Sequence, residues 1–392
     1  MTTSTRFGQG FGIRLSLFFA ALFLVYGVQL PLFPVWLDWR GLSAAEIGLV
    51  TSVPLFLRLI IGPAAAFLAD RSGDRRRAVV IAAVCGMGAV LALSQSHTLT
   101  AILLFSAVFL IGTQTTGPIG EAIALSGVRE LGVDYGRMRV WGSVSFIAAT
   151  LIGGAVVQYA GAPSIVWILA ASAGALLAAA WLLPVPQSSD ARAAPAGKPG
   201  RLTLGAVVEV AGSRTFVLLI IAVSLVQSSH AMFYVFGILH WQSQGISGLT
   251  IGVLWSVGVI AEVILFATVG KFLNAIGPAA FIIAGGVAAV VRWSVMAFDP
   301  PVALLLPLQI LHALTFGATH FGAIHVIQRV VPQEQAGTAQ SLLAAATGGL
   351  GMGAATLLSG ILYGPFGGAA YLVMTCVACA GLVAALLLRR EG

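Results

Sequence analysis

Charge is what this sequence has least of. Only 8% of its 392 residues are Asp, Glu, Lys or Arg, while 59% are hydrophobic. A soluble chain carries roughly a quarter charged residues, so a soluble globular fold is excluded. Cysteine is almost absent too. Cys85, Cys376 and Cys379 all lie in apolar runs without disulfide or metal-ligand spacing, and they read as small buried hydrophobes. Catalytic signatures are missing as well: there is no His-Glu-x-x-His and no Gly-x-x-x-x-Gly-Lys-Ser/Thr, and the polar segment 185–214 holds neither His nor Cys. A membrane-embedded enzyme is therefore not expected, nor is a cofactor, a metal or a nucleotide as energy source.

Long apolar runs are what the chain does have. A spanning helix needs about 20 such residues, and twelve runs qualify, at roughly 13–37, 44–69, 77–95, 99–126, 138–160, 163–184, 215–241, 249–272, 278–298, 303–328, 337–362 and 367–388. The short polar lead before residue 13 has no cleavable small-residue site, so the first run is expected to stay as a helix. The expectation is an all-α membrane protein of twelve transmembrane helices. A bundle at 1–184, a cytoplasmic linker at 185–214 rich in Pro, Ser, Ala and Gly, and a second bundle at 215–392 would make up the chain.

The net charge of +7 is a matter of placement. With the N-terminus in the cytoplasm, seventeen of the twenty Lys and Arg fall on that side, only Arg40 falls opposite, and Arg58 and Arg292 lie inside spans. That is the positive-inside pattern. It predicts a multi-pass protein of a bacterial inner membrane with both termini cytoplasmic. It also removes the reason to invoke nucleic acid; the lipid bilayer and a small-molecule substrate are the expected partners of a monomer.

The two halves repeat at an offset of 204. Gly41-Leu-Ser-Ala-Ala-Glu-Ile-Gly48 matches Gly245-Ile-Ser-Gly-Leu-Thr-Ile-Gly252, and the same step carries Asp70 to Asn274, Gly73 to Gly277, Arg58 to Glu262 and Glu121 to His325. Internal repeats of this kind imply pseudo-symmetric six-helix bundles with a mid-membrane site between them, the architecture of a transporter working by alternating access.

Ionisable groups inside spans cost about 2.5–3.5 kcal/mol each and usually face a cavity or one another. Glu121 opens such a stretch, Gly117–Ser143, which continues into a run carrying Arg137 and Arg139. Arg58, Glu262, Arg292 and His312 are the other ionisable candidates. Gln227, His230 and Tyr234 form a polar stripe on an apolar helix, and Gln309, His312 and Thr319 share roughly one face. Pro31, Pro34, Pro54, Pro63 and Pro118 are expected kinks within spans.

The turn Ala66-Phe-Leu-Ala-Asp70-Arg71-Ser-Gly73-Asp74-Arg75-Arg76 resembles the loop signature of the major facilitator superfamily. That resemblance implies the major facilitator fold, with Asp70, Arg71, Gly73 and Arg75, and Asn274 and Gly277 in the repeat, as gating residues. Glu121 and Arg139, eighteen residues apart, with Pro118, Ala122, Gly136, Arg137 and Gly142 around them and Leu32-Phe-Pro-Val-Trp36-Leu in the first span, resemble the lactose-permease-like branch. The resemblance makes Glu121 and Arg139 substrate contacts and aligns Phe146 with the ring-stacking Trp; Tyr26 and Gln29 are counted with them. It also aligns Arg292 and His312 with the coupling Arg and His. The branch's tenth-helix Glu is Thr315 here and its eighth-helix Glu is Val259, leaving Glu262, one turn on, as the expected proton carrier.

The tenth span, His312 to His325, and the seventh, Ser229 to Gln242, look like the phenylpropionate-permease group of that branch. The resemblance implies proton-coupled symport of a small, aromatic carboxylate driven by the proton gradient. Export, antiport or uniport of a sugar, nucleoside or other small molecule stays open beside it.

Overall fold

The computed structural model of the chain describes residues 3–184, 210 and 212–391, with backbone only at 3–9 and 274–275. Most of the expected linker, at 185–209 and 211, and the side chain of Asn274 lie outside the described residues. Eleven described helical stretches are long and apolar enough to cross a membrane. They are α1 (Thr3–Trp39), α2 (Ala44–Ser72), α3 (Arg75–Ser94), α4 (Leu99–Leu131), α5 (Tyr135–Ala160), α6 (Ser164–Leu182), α7 (Arg214–Ser243), α8 (Gly248–Phe272), α9 (Pro278–Met296), α10 (Val302–Val330) and the stretch Gln333–Glu391.

The last of these is 59 residues long and folds back on itself. Ala339 and Ala385 share one hydrophobic cluster, whereas 46 residues of straight helix would hold them about 69 Å apart. The reversal falls at Gly367, whose φ of 51° few other residues tolerate. It separates α11 (336–366) from α12 (Tyr371–Glu391), which makes twelve crossings among the described residues.

Local sequence explains the helix ends. Ser43 and Glu46 make a reciprocal capping box at α2, and Thr98, Asp134 and Ser213 cap α4, α5 and α7 through side-chain oxygens. The repeat survives in backbone detail. Gly41 and Gly245 both have positive φ (85° and 78°), as do Gly73 and Gly277 (69° and 73°). Ser43 accepts from the amide of Glu46, and Ser247, 204 residues on, accepts from that of Thr250.

The helices fall into two compact units. The first holds α1–α6 together with Trp241–Ser256; the second holds α7 up to His240 and the chain from Val257 on. In the first unit α1 packs on α5 and α6, and α3 on α4 and α6; in the second α7 packs on α11 and α12, and α9 on α10 and α12. The same pairs recur at the same places in each half. Within the first unit, Gly154 on α5 meets Gly248 and Gly252 backbone to backbone, and a Cβ on Gly154 would run into the Gly248 carbonyl oxygen. Beside this contact Thr150 bonds Ser256 at 3.0 Å, and the Leu249 amide donates to Gln158 at 3.0 Å.

Polarity is arranged as a membrane requires. Ile60, Phe67, Trp141 and Ile264 are exposed, while Arg292 is 0% exposed. Arg292, an ionisable group inside a span, is thus turned inward from lipid.

Candidate functional site

The turn between α2 and α3 brings several of its signature residues together. Asp70 accepts from Arg75 Nε at 2.9 Å, and Gly73 supplies the left-handed residue that closes α2. Asp74, where the family signature has Arg, caps α3 by accepting from the Arg77 amide at 2.9 Å. Arg71 is exposed.

In the first unit four groups converge on α1. The Tyr26 hydroxyl donates to the Thr113 carbonyl at 3.1 Å and lies within electrostatic reach of Arg58, Glu121 and Arg139. Arg58 Nη1 donates to Gln114 Oε1 at 2.7 Å. The Arg139 guanidinium sits 4.0 Å from the Phe23 ring centroid and 5.9 Å from that of Phe19, a cation–π contact that fixes its plane. Glu121 and Arg139 are electrostatic neighbours, yet they do not form one of the described ion pairs within 4.0 Å. Phe146 is buried at 9% exposure with its backbone against Gly27, and the Gln29 Oε1 atom is buried without a partner.

The second unit holds a connected hydrogen-bond network. A π-helical turn at Ala313–Ala318 widens α10. Such a turn breaks the regular ladder, commonly at functional sites. Here Gln227 Nε2 donates to the Phe316 carbonyl at 3.3 Å and the Thr319 hydroxyl to that of Leu314. Opposite, α7 breaks around Ser229–His230. His230 Nδ1 bonds the Gln227 carbonyl at 2.9 Å, so Nδ1 carries a proton and the neutral ring's Nε2 accepts from Thr315, 2.8 Å away. Tyr234 stacks on His230 with centroids 5.5 Å apart.

Arg292 is the centre of this network. Its Nη2 donates to Gln309 Oε1 at 2.7 Å and its Nη1 to His312 Nδ1 at 3.3 Å and to Thr315 at 3.4 Å. The guanidinium also lies 4.8 Å from the Phe233 ring and 4.6 Å from that of Trp293. Arginine can only donate, so His312 Nδ1 accepts and its proton sits on Nε2. That nitrogen faces Glu262 Oε2 at 3.5 Å. The two units thus gather most of the residues singled out in the sequence, each set within its own half. His325 instead bonds the Phe321 carbonyl on its own helix at 2.8 Å, and His320 is exposed. Among the described residues no group of three His, Cys, Asp or Glu could hold a metal ion.

Gln114 was not anticipated as the partner of Arg58. Its signal was the polar run Thr113-Gln114-Thr115-Thr116 in mid-span of an apolar helix.

Twelve described crossings in two repeated halves, with ionisable clusters inside the spans, define a multi-pass membrane transporter. The family described as MFS_1 like family matches residues 12–373, and the chain belongs to it. It is 29% identical over 370 residues to the probable 3-phenylpropionic acid transporter of Escherichia coli (strain K12), covering 93% of this chain and 94% of that one. It is 28% identical over 386 residues to the maltose permease of Geobacillus stearothermophilus, covering 96% and 94%. Its fold superposes on the crystal structure of the nucleoside transporter NupG with a TM-score of 0.83 at 19% identity, covering 96% of this chain and 98% of that one. These relatives are transporters rather than enzymes, and the chain is a transporter of the same kind.

Proposed function

We propose that the protein is a proton-coupled symporter that moves a small aromatic carboxylate across a bacterial inner membrane by alternating access, as a monomer with both termini cytoplasmic. Helical bundles at 1–184 and 215–392, joined by a cytoplasmic linker at 185–214, are the two moving parts. The observation that carries this reading is the line Gln309–Arg292–His312–Glu262, in which one carboxylate meets a buried guanidinium through a single imidazole. A proton on Glu262 removes the charge that His312 Nε2–H faces. Loss of that proton restores it, so protonation and the set of the α8–α10 contact are coupled. His230 and Thr315 extend the line towards Gln227 and Tyr234 on α7, a path from the proton site to the ligand contacts.

Glu121, Arg139, Phe146, Tyr26 and Gln29 supply the first half's substrate contacts in this reading, with Gln227, His230 and Tyr234 in the second. Asp70, Arg71, Gly73 and Arg75, and Asn274 and Gly277 in the repeat, act as the gating loops. The 3-phenylpropionic acid transporter relative supports an aromatic acid. The test is uptake of labelled 3-phenylpropionate into proteoliposomes with an inward proton gradient. Accumulation that collapses on adding an uncoupler is expected; unchanged accumulation would sink the symport reading. A second reading, uniport or export of an uncharged solute, is favoured by Thr315, which stands where the branch carries a coupling carboxylate. It predicts uptake of maltose or a nucleoside without any response to pH.

A further inference from the structure

Among the described residues Arg58 is a mid-span cation to which the proposed function gives no task. It sits at the midpoint of α2, 58 − 44 = 72 − 58 = 14 residues from either end. Its partner Gln114 is near the middle of α4, 114 − 99 = 15 residues from Leu99. Both side chains are half-buried. Arg58 faces its own bundle rather than lipid, because Gln114 on α4 and Tyr26 on α1 are its neighbours.

The chemistry of this pair is one-sided. A guanidinium has no acceptor, so the bond between Arg58 and Gln114 must use the amide oxygen, which turns the Gln114 NH2 away as a second donor. Neither that NH2 nor the remaining Arg58 N–H groups bond any described residue. Tyr26 spends its hydroxyl proton on the Thr113 carbonyl. Arg139 differs in each respect: it lies only four residues into α5, stacks on Phe23, and has Glu121 as an electrostatic neighbour. Counting the groups around Tyr26, two guanidiniums face one carboxylate, 2 − 1 = +1. An array of donors with surplus positive charge inside hydrocarbon calls for an anionic acceptor.

We infer that Arg58 and Gln114 form the subsite that receives the carboxylate of the transported acid, its apolar body lying towards Tyr26 and Phe23. Those two rings pack edge to face at 5.3 Å, a wall suited to an aromatic or aliphatic monocarboxylate. Arg139, stacked on Phe23 and near Glu121, then borders the ligand's apolar body while Arg58 takes its charge. This assignment deepens the proposed function and rests on it.

The test compares binding of 3-phenylpropionate with that of its neutral isostere 3-phenylpropionamide, by calorimetry on the purified full chain in nanodiscs. The wild type is expected to favour the acid at least tenfold. Arg58→Gln should erase that preference while the melting temperature holds. Gln114→Glu gives an independent route: the new carboxylate would occupy Arg58 from within and should lower acid affinity at least tenfold without unfolding risk from an unpaired charge. Acid preference kept in both variants overturns the subsite and leaves the function standing. A wild type that binds neither compound overturns the aromatic-acid reading and the subsite with it.

Discussion

Arg58 and Arg292 are both guanidiniums inside apolar helices, and they are held in opposite ways. Arg292 is fully buried, bonds Gln309, His312 and Thr315, and lies against two aromatic rings. Arg58 is half-buried and bonds only Gln114 among the described residues. In the second half the polar groups bond one another in a connected chain, with Arg292 Nε and Gln309 Nε2 left buried without a partner; in the first, Arg58, Glu121 and Arg139 stand near one another without forming one of the described ion pairs. A connected line from a carboxylate to a buried guanidinium suits a switch whose own protonation changes its shape. Groups with open valence suit a ligand that completes them. The repeat makes this sharper, because Arg58 and Glu262 occupy equivalent positions of α2 and α8, and the two halves have given one position opposite charges.

Mutations can break that contrast in order of effect. Glu262→Gln should abolish gradient-driven accumulation of 3-phenylpropionate, a drop of about 100-fold, while counterflow exchange between equal pools persists. Loss of both together would place Glu262 in folding or binding instead. Arg292→Gln should interrupt the same coupling and also lower stability, by about 1.5–3 kcal/mol, since it removes a buried charged donor from Gln309, His312 and Thr315. A melting temperature as steady as that expected for Arg58→Gln would erase the difference between the halves. Thr315→Val, which removes the bond to His230, should cost about 1 kcal/mol in the same melting assay. Asp70→Asn comes last, with less than about 1 kcal/mol expected for so exposed a pair.

Much of this was legible in the sequence, because membrane folds put their constraints where a linear reading finds them. Apolar length located the twelve crossings, and the 204-residue offset paired Gly41 with Gly245 and Gly73 with Gly277, all four of which adopt positive φ. Asp70 and Arg75 found each other as their turn implied. Contacts between helices were harder to read. Glu121 and Arg139 were placed in one half by their spacing, but not the cation–π contact that draws Arg139 towards Phe23. Thr315 looked like the loss of a coupling group; the widened turn around it and the break in α7 let it bond His230 instead. Periodicity assumes a regular helix, and at Ala313–Ala318 that assumption fails.

In the proposed function Glu262, through His312 and Arg292, couples a proton to transport. This coupling is tested most directly by following external pH when 3-phenylpropionate is added to weakly buffered proteoliposomes. Alkalinisation of the medium as protons enter with the acid is expected, absent in Glu262→Gln. Uptake of the acid with no pH change in the wild type, or an equal change in the variant, would contradict it.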